Sequence, residues 1–160
     1  MLNIKIICVG RLKERFYAEA EAEYVKRLSG YCKLKIAEVP ECRLPGAPSS
    51  AQIAAALEKE GAAVMEQIPP DAKTVALCIE GRGLDSAGLS ELLAGGAAHG
   101  VSRLCFIVGG SHGLHGDVKN AADVRLSMSE MTFPHNLARV MLLEQLYRAF
   151  KIAEGRKYHK

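Results

Sequence analysis

Four stretches of this 160-residue chain carry side chains whose types and spacing suit chemistry. The first is Val108-Gly109-Gly110-Ser111-His112-Gly113-Leu114-His115-Gly116. Glycines here let the backbone adopt positive φ and let a ligand come close to main-chain N–H groups. The spacing is not that of a P-loop, because no Gly-Lys-Ser/Thr follows. It is not a dinucleotide fingerprint either, which belongs after the first strand, where this chain has only Val9-Gly10-Arg11. His112 and His115 are spaced like metal ligands but have no third ligand nearby, so no metal is expected. The second stretch is Met128-Ser129-Glu130-Met131-Thr132-Phe133-Pro134-His135. Two methionines and a phenylalanine around a polar backbone can line a flat aromatic ligand such as adenine, or pack a core beneath a loop.

The third stretch is helical, from about Asn136 to Ala153. Glu144, Arg148 and Lys151 share one solvent stripe, and Arg139 falls roughly opposite it, in line with Leu143, Leu146 and Phe150. An arginine on an apolar face stays charged and must find an anion, a carboxylate or a carbonyl. Glu130 and Asp123 are candidate structural partners, and a ligand is the alternative. Leu137, Val140, Met141, Leu142, Leu143, Leu146, Tyr147, Phe150 and Ile152 make this helix apolar around more of its circumference than one sheet covers. That width points to a second subunit. Beyond it, Gly155-Arg156-Lys157-Tyr158-His159-Lys160 combines positive charge with rings, which suits phosphate neutralisation and base stacking.

Apolar runs of strand length position these segments. Ile4 to Val9, Leu34 to Val39, Thr74 to Ile79 and Leu104 to Val108 are each closed by Gly or Pro, as strands buried on both faces of a parallel sheet would be. Helix-length stretches lie between them at Lys13 to Leu28, Ser50 to Ile68 and Ser86 to Leu93, and Ser49 with Gln52 forms a capping box for the second. A short helix from Asp117, a short strand at Val124 to Ser127 and the last helix complete the pattern. The expected fold class is α/β, with a mainly parallel sheet and helices on both faces. Both loops then follow strands at the same sheet edge, where ligands of open α/β sheets bind.

Composition narrows the class. Hydrophobic residues are 49% and charged residues 24% of the chain, which excludes disordered and collagen-like sequences. No apolar run approaches the roughly 20 residues of a membrane span, and the start of the chain lacks signal-peptide features. The five cysteines are odd in number and have no CxxC spacing, and Cys8, Cys78 and Cys105 lie in apolar runs. They read as reduced core thiols in a cytoplasmic protein. A net charge of +3 permits an anionic partner without demanding one.

The ordered set of motifs resembles the RlmH family, small bacterial methyltransferases of the SPOUT class. The residues carrying this resemblance are Ile107-Val108-Gly109-Gly110-x-x-Gly113-Leu114, Met131-Thr132-Phe133-Pro134-His135, Arg139-Val140, Glu144-Gln145-x-Tyr147-Arg148-Ala149-Phe150 and Tyr158-His159-Lys160. Val9-Gly10-Arg11-Leu12-Lys13, Glu23-Tyr24, Lys26-Arg27-Leu28, Glu38-Val39-Pro40 and Lys59-Glu60-Gly61 also fit, so the likeness spans essentially the whole chain. It implies one domain over residues 1–160, with a trefoil knot across about 104–160, and a homodimer. It also implies S-adenosylmethionine as methyl donor and methylation of N3 of pseudouridine 1915 in helix 69 of 23S rRNA, on the assembled 70S ribosome. The cofactor contacts it implies are Leu77, Gly109, Met128, Ser129, Glu130, Met131, Thr132 and Phe133. Arg139, Tyr158 and His159 fall on the substrate side, with Arg139 stabilising charge on carbonyls beside N3 and His159 or a water accepting the proton. A nucleotide-binding α/β module or a non-enzymatic ribosome-associated factor are the alternatives, but neither accounts for all the motifs.

Overall fold

The computed structural model describes residues 1–155. Its elements run β1 (Leu2–Val9), α1 (Arg15–Leu28), β2 (Cys32–Val39), α2 (Ser50–Gln67), β3 (Lys73–Gly83), α3 (Ser86–Ala98), β4 (Arg103–Val108), α4 (Gly116–Ala121), β5 (Val124–Ser127) and α5 (His135–Ala153). The five strands form one sheet in the order β2-β1-β4-β3-β5, and every pairing is parallel. Each central strand is apolar on both sides because helices cover both faces. Ile4, Ile6, Leu104 and Phe106 point to one layer, where they meet Leu28 of α1, Leu89 and Leu93 of α3, and Leu142, Leu143 and Leu146 of α5. Ile7, Ala76, Cys105 and Ile107 point to the other, against Val64 of α2 and Val118 of α4. Full burial of such side chains contributes about 1.5–3 kcal/mol apiece.

Local signals set most of the boundaries. The Ser49 side chain accepts from the Gln52 N–H at 3.1 Å, and the Gln52 side chain accepts from the Ser49 N–H at 2.8 Å, which completes the expected capping box. α3 continues beyond Leu93 through Gly95 and Gly96. Its end comes at Gly100, whose φ of +77° suits a glycine after a helix, and Val101 N–H returns to the Gly96 carbonyl. β3 also outruns its expected end at Ile79. Leu77 and Arg82 both pair with Leu126 of β5, so residues 78–81 loop out of the sheet and the strand resumes beyond them.

The solvent stripe expected on α5 is corrected in part. Glu144 and Arg148 form an i, i+4 ion pair at 2.6 Å, but both are half-buried because α5 packs against α1 and α3. No helix among the described residues is long and apolar enough to cross a membrane.

Candidate active site

The connection after β3 leads to α3 on one face of the sheet, while that after β4 leads to α4 on the other. Neighbouring parallel strands whose connections diverge in this way open a crevice at their carboxyl ends. A cleft of about 740 Å³ lies there, within the range of about 300–1,000 Å³ usual for small-molecule sites. Three segments line it: 77–80 from β3 and its excursion, 108–114 after β4, and 127–129 with 131–135 after β5, with Lys119 and Ala138 at its sides.

The turn after β4 is built by close approach. A Cβ on Gly109 would stand 2.5 Å from the Gly113 carbonyl oxygen, so only glycine fits. Gly113 has φ of +80°, and its N–H donates to the Gly110 carbonyl at 3.1 Å. The loop after β5 is fixed by its own serines. Ser127 Oγ donates to the Ser129 carbonyl at 3.0 Å, and Ser129 Oγ accepts from the Met131 N–H at 3.0 Å. Leu77, Met128, Met131 and Phe133 give the cleft apolar walls, while backbone, Ser and Thr groups supply polar points. Such walls suit an adenine-bearing ligand, and the close packing of Gly109 on the Gly113 backbone fixes the turn beside them. The residues present therefore fit S-adenosylmethionine.

Of the expected cofactor contacts, Leu77, Gly109, Met128, Ser129, Met131, Thr132 and Phe133 share this cleft. Glu130 is exposed and does not line it. Tyr158 and His159 lie outside the described residues. His112 lines the cleft, whereas His115 caps α4 by accepting from the Asp117 N–H at 3.2 Å. Cys78 is corrected from core thiol to cleft lining, because the chain leaves the sheet just after Leu77. Burial raises its pKa, and it raises those of the core thiols further: Cys8 to about 12, Cys32 and Cys105 to about 11.

Arg139 begins one residue past the cleft-lining Ala138, but its guanidinium turns away from the cleft. Nε and Nη2 donate to the two oxygens of Glu21 on α1 at 2.5 and 2.9 Å, and Nη1 donates to Glu38 on β2 at 2.7 Å. The expected partners Glu130 and Asp123 are thus replaced by acids that only the tertiary fold brings near. Asp123 instead accepts from the Thr74 N–H at 2.7 Å. The Arg139 side chain is 4% exposed. Burial opposes its charge, but the Glu21 and Glu38 carboxylates more than offset this and hold it protonated.

Two cleft residues had no motif to announce them. Glu80, on the β3 excursion, and Lys119, on α4, form an ion pair across one side of the cleft. The pair, led by the hydrogen bond from Lys119, holds the Glu80 carboxyl below its ordinary pKa. The only hint in the sequence was a charge placed directly after an apolar run.

A family model described as "Predicted SPOUT methyltransferase" matches residues 2–159. The chain belongs to the SPOUT methyltransferase family. Membership implies methyl transfer from S-adenosylmethionine. Among solved structures, a probable methylase family protein from Haemophilus influenzae Rd KW20 is similar in fold, with a TM-score of 0.56 at 12% identity. That match covers 99% of this chain and 71% of the other. At that identity the likeness speaks for the fold alone.

Proposed function

We propose that this SPOUT methyltransferase methylates N3 of pseudouridine 1915 in helix 69 of 23S rRNA, acting on the assembled 70S ribosome as a cytoplasmic, knotted homodimer. One observation carries the reading: the glycine turn and the Met-Thr-Phe-Pro-His loop, the two most specific motifs of the resemblance, line one cleft at the carboxyl ends of the strands. The dimer is supported by Phe16 and Met131, 64% and 74% exposed, and by the partly open Leu137, Val140 and Met141 on α5. The knot is supported by the return of α5 from the edge strand β5 to the layer that holds α1 and α3.

Bound in the cleft, the donor supplies an electrophilic sulfonium methyl. Leu77, the Gly109 turn, Met128, Ser129 and residues 131–133 would hold and orient it. The protein must then bring the base nitrogen in line with the methyl and remove the N3 proton. We assign proton acceptance to His159 or a water, with Tyr158 also on the substrate side. Charge developing on the carbonyls beside N3 is assigned to Arg139. As the guanidinium is turned from the cleft and held by Glu21 and Glu38, this role requires it to give up at least its single hydrogen bond to Glu38, which is 42% exposed, and turn toward the substrate.

The test is incubation of the purified protein with methyl-labelled S-adenosylmethionine and ribosomes carrying the unmethylated pseudouridine, followed by mapping of the label. Label at N3 of that nucleotide, with none on free 23S rRNA, is the expected result. No transfer to helix 69 by protein that binds the donor would overturn the reading. An Arg139→Lys enzyme with a normal single-turnover rate at saturating donor would remove the role given to Arg139. A pH–rate profile unchanged by His159→Ala would remove that of His159.

A further inference from the structure

The loop between β2 and α2 carries none of the cleft motifs, yet it grips the glycine turn. Glu41 Oε1 accepts from the Ser111 backbone N–H at 3.0 Å and from the Ser111 hydroxyl at 2.7 Å. The same oxygen lies 2.9 Å from where a Cβ on Gly110 would stand, so the second glycine of the turn is what lets the carboxylate come this close. The loop has its own anchor. Glu60 of α2, buried, accepts from the Cys42 N–H at 2.8 Å with Oε2. A continuous path therefore runs from α2 through Cys42 and Glu41 to Ser111.

The charge of Glu41 suits this task. Burial pushes its carboxyl pKa up, but the two Ser111 hydrogen bonds, with His135 and Lys13 nearby, more than offset this and hold it below the ordinary value. It is ionised at neutral pH, and its bonds to Ser111 are charge-assisted. Both Ser111 donors are spent on Glu41, although Ser111 itself lines the cleft. The turn is thus held from outside the cleft, by a residue that does not line it.

We propose that Glu41 is a positioning residue for the methyl donor, latching the turn 110–113 in the shape that the donor binds. This rests on the reading of the cleft as the donor site. A preformed turn spares the ligand the cost of ordering it on binding. Ser111 acts here as the strike plate of the latch and makes no hydrogen bond of its own to the donor.

Glu41→Ala, Ser111→Ala and the double variant test the idea in the full-length protein by two measurements. One is S-adenosylmethionine affinity by calorimetry, and the other is amide hydrogen exchange at Ser111 to Gly113 without ligand. Ser111→Ala, which keeps the backbone N–H bond to Glu41, should bind about tenfold more weakly, the size expected for loss of a charge-assisted hydrogen bond, and Glu41→Ala, which loses both bonds, should bind at least as weakly. The double variant should bind no worse than the weaker single, because the two residues act as one unit. The Ser111 amide should exchange faster in Glu41→Ala. Should that variant fold poorly, Glu41→Gln, which keeps the shape and one acceptor oxygen, should fall between it and the wild type. A folded Glu41→Ala protein with donor affinity within about twofold of wild type would overturn the latch, as would additive losses in the double variant. A lowered melting temperature with affinity and exchange unchanged would also overturn it, showing a merely structural role. Failure of the wild-type chain to bind S-adenosylmethionine would overturn the donor-site reading instead, and the exchange data would still decide whether Glu41 holds the turn.

Discussion

Replacing Arg139 by Met removes a charge and three hydrogen bonds but keeps a long, unbranched side chain with good helix propensity. The cost falls on the two acids left behind. The Glu21 side chain is 19% exposed and loses both of its bonds to Arg139, so water can resolvate it only in part. Glu38, at 42%, can turn to solvent after losing one. Removing one partner of a buried ion pair costs about 3–5 kcal/mol, and the partial exposure of both acids puts this case near the lower end, about 3 kcal/mol. That is a large share of the roughly 5–15 kcal/mol that holds a domain folded. Urea unfolding at pH 7 measures it as a drop in midpoint at unchanged slope. Adding Glu21→Gln removes the stranded charge and should recover about 1 kcal/mol or more. A loss below about 1 kcal/mol in a natively folded Arg139→Met protein would refute the reasoning. The clamp would then not be what ties α5 to α1 and β2.

Gly109→Ala should cost about 1–3 kcal/mol, because the new methyl meets backbone at Gly113 rather than a flexible side chain, and it should weaken S-adenosylmethionine binding at least tenfold in calorimetry. Gly81→Ala should cost a similar amount, since its Cβ would lie 2.8 Å from backbone atoms of Arg125 and Leu126; thermal unfolding checks this. Glu60→Gln should stabilise the protein at neutral pH. Burial raises the Glu60 pKa, so the wild type loses stability as pH rises through the folded value, and the gain should vanish below the unfolded value, where the carboxyl is protonated in both states. Denaturation midpoints between pH 4 and pH 8 would show it. Cys78 should be alkylated slowly at neutral pH and faster as pH rises, because burial disfavours its thiolate, and bound donor should protect it; mass spectrometry reads both effects.

The sheet was legible because both of its faces are covered, which leaves central strands such as Leu104 to Val108 as unbroken apolar runs. The end of β3 was not. Glu80, Gly81, Arg82 and Gly83 carry no strand pattern, and they rejoin the sheet only through the irregular pairing with β5. The glycine turn and the methionine loop could be placed because both directly follow strands of a parallel sheet. Helix phase was enough to put Arg139 on the inner side of α5. It said nothing of Glu21 and Glu38, which reach the arginine only once α1 and β2 have packed. The same holds for Glu41 and for the Glu80–Lys119 pair, whose partners come from separate crossovers.

The excursion of residues 78–81 separates two demands that a regular strand would couple. Pairing on either side is already secured, so Cys78, Ile79 and Glu80 line the cleft without carrying the register of the sheet. Substitutions at those three positions can change what the cleft accepts at little cost to folding. Gly81 alone is committed, pinned where the chain recrosses β5. For anyone seeking to redirect this enzyme to an altered donor, that wall is the place to begin.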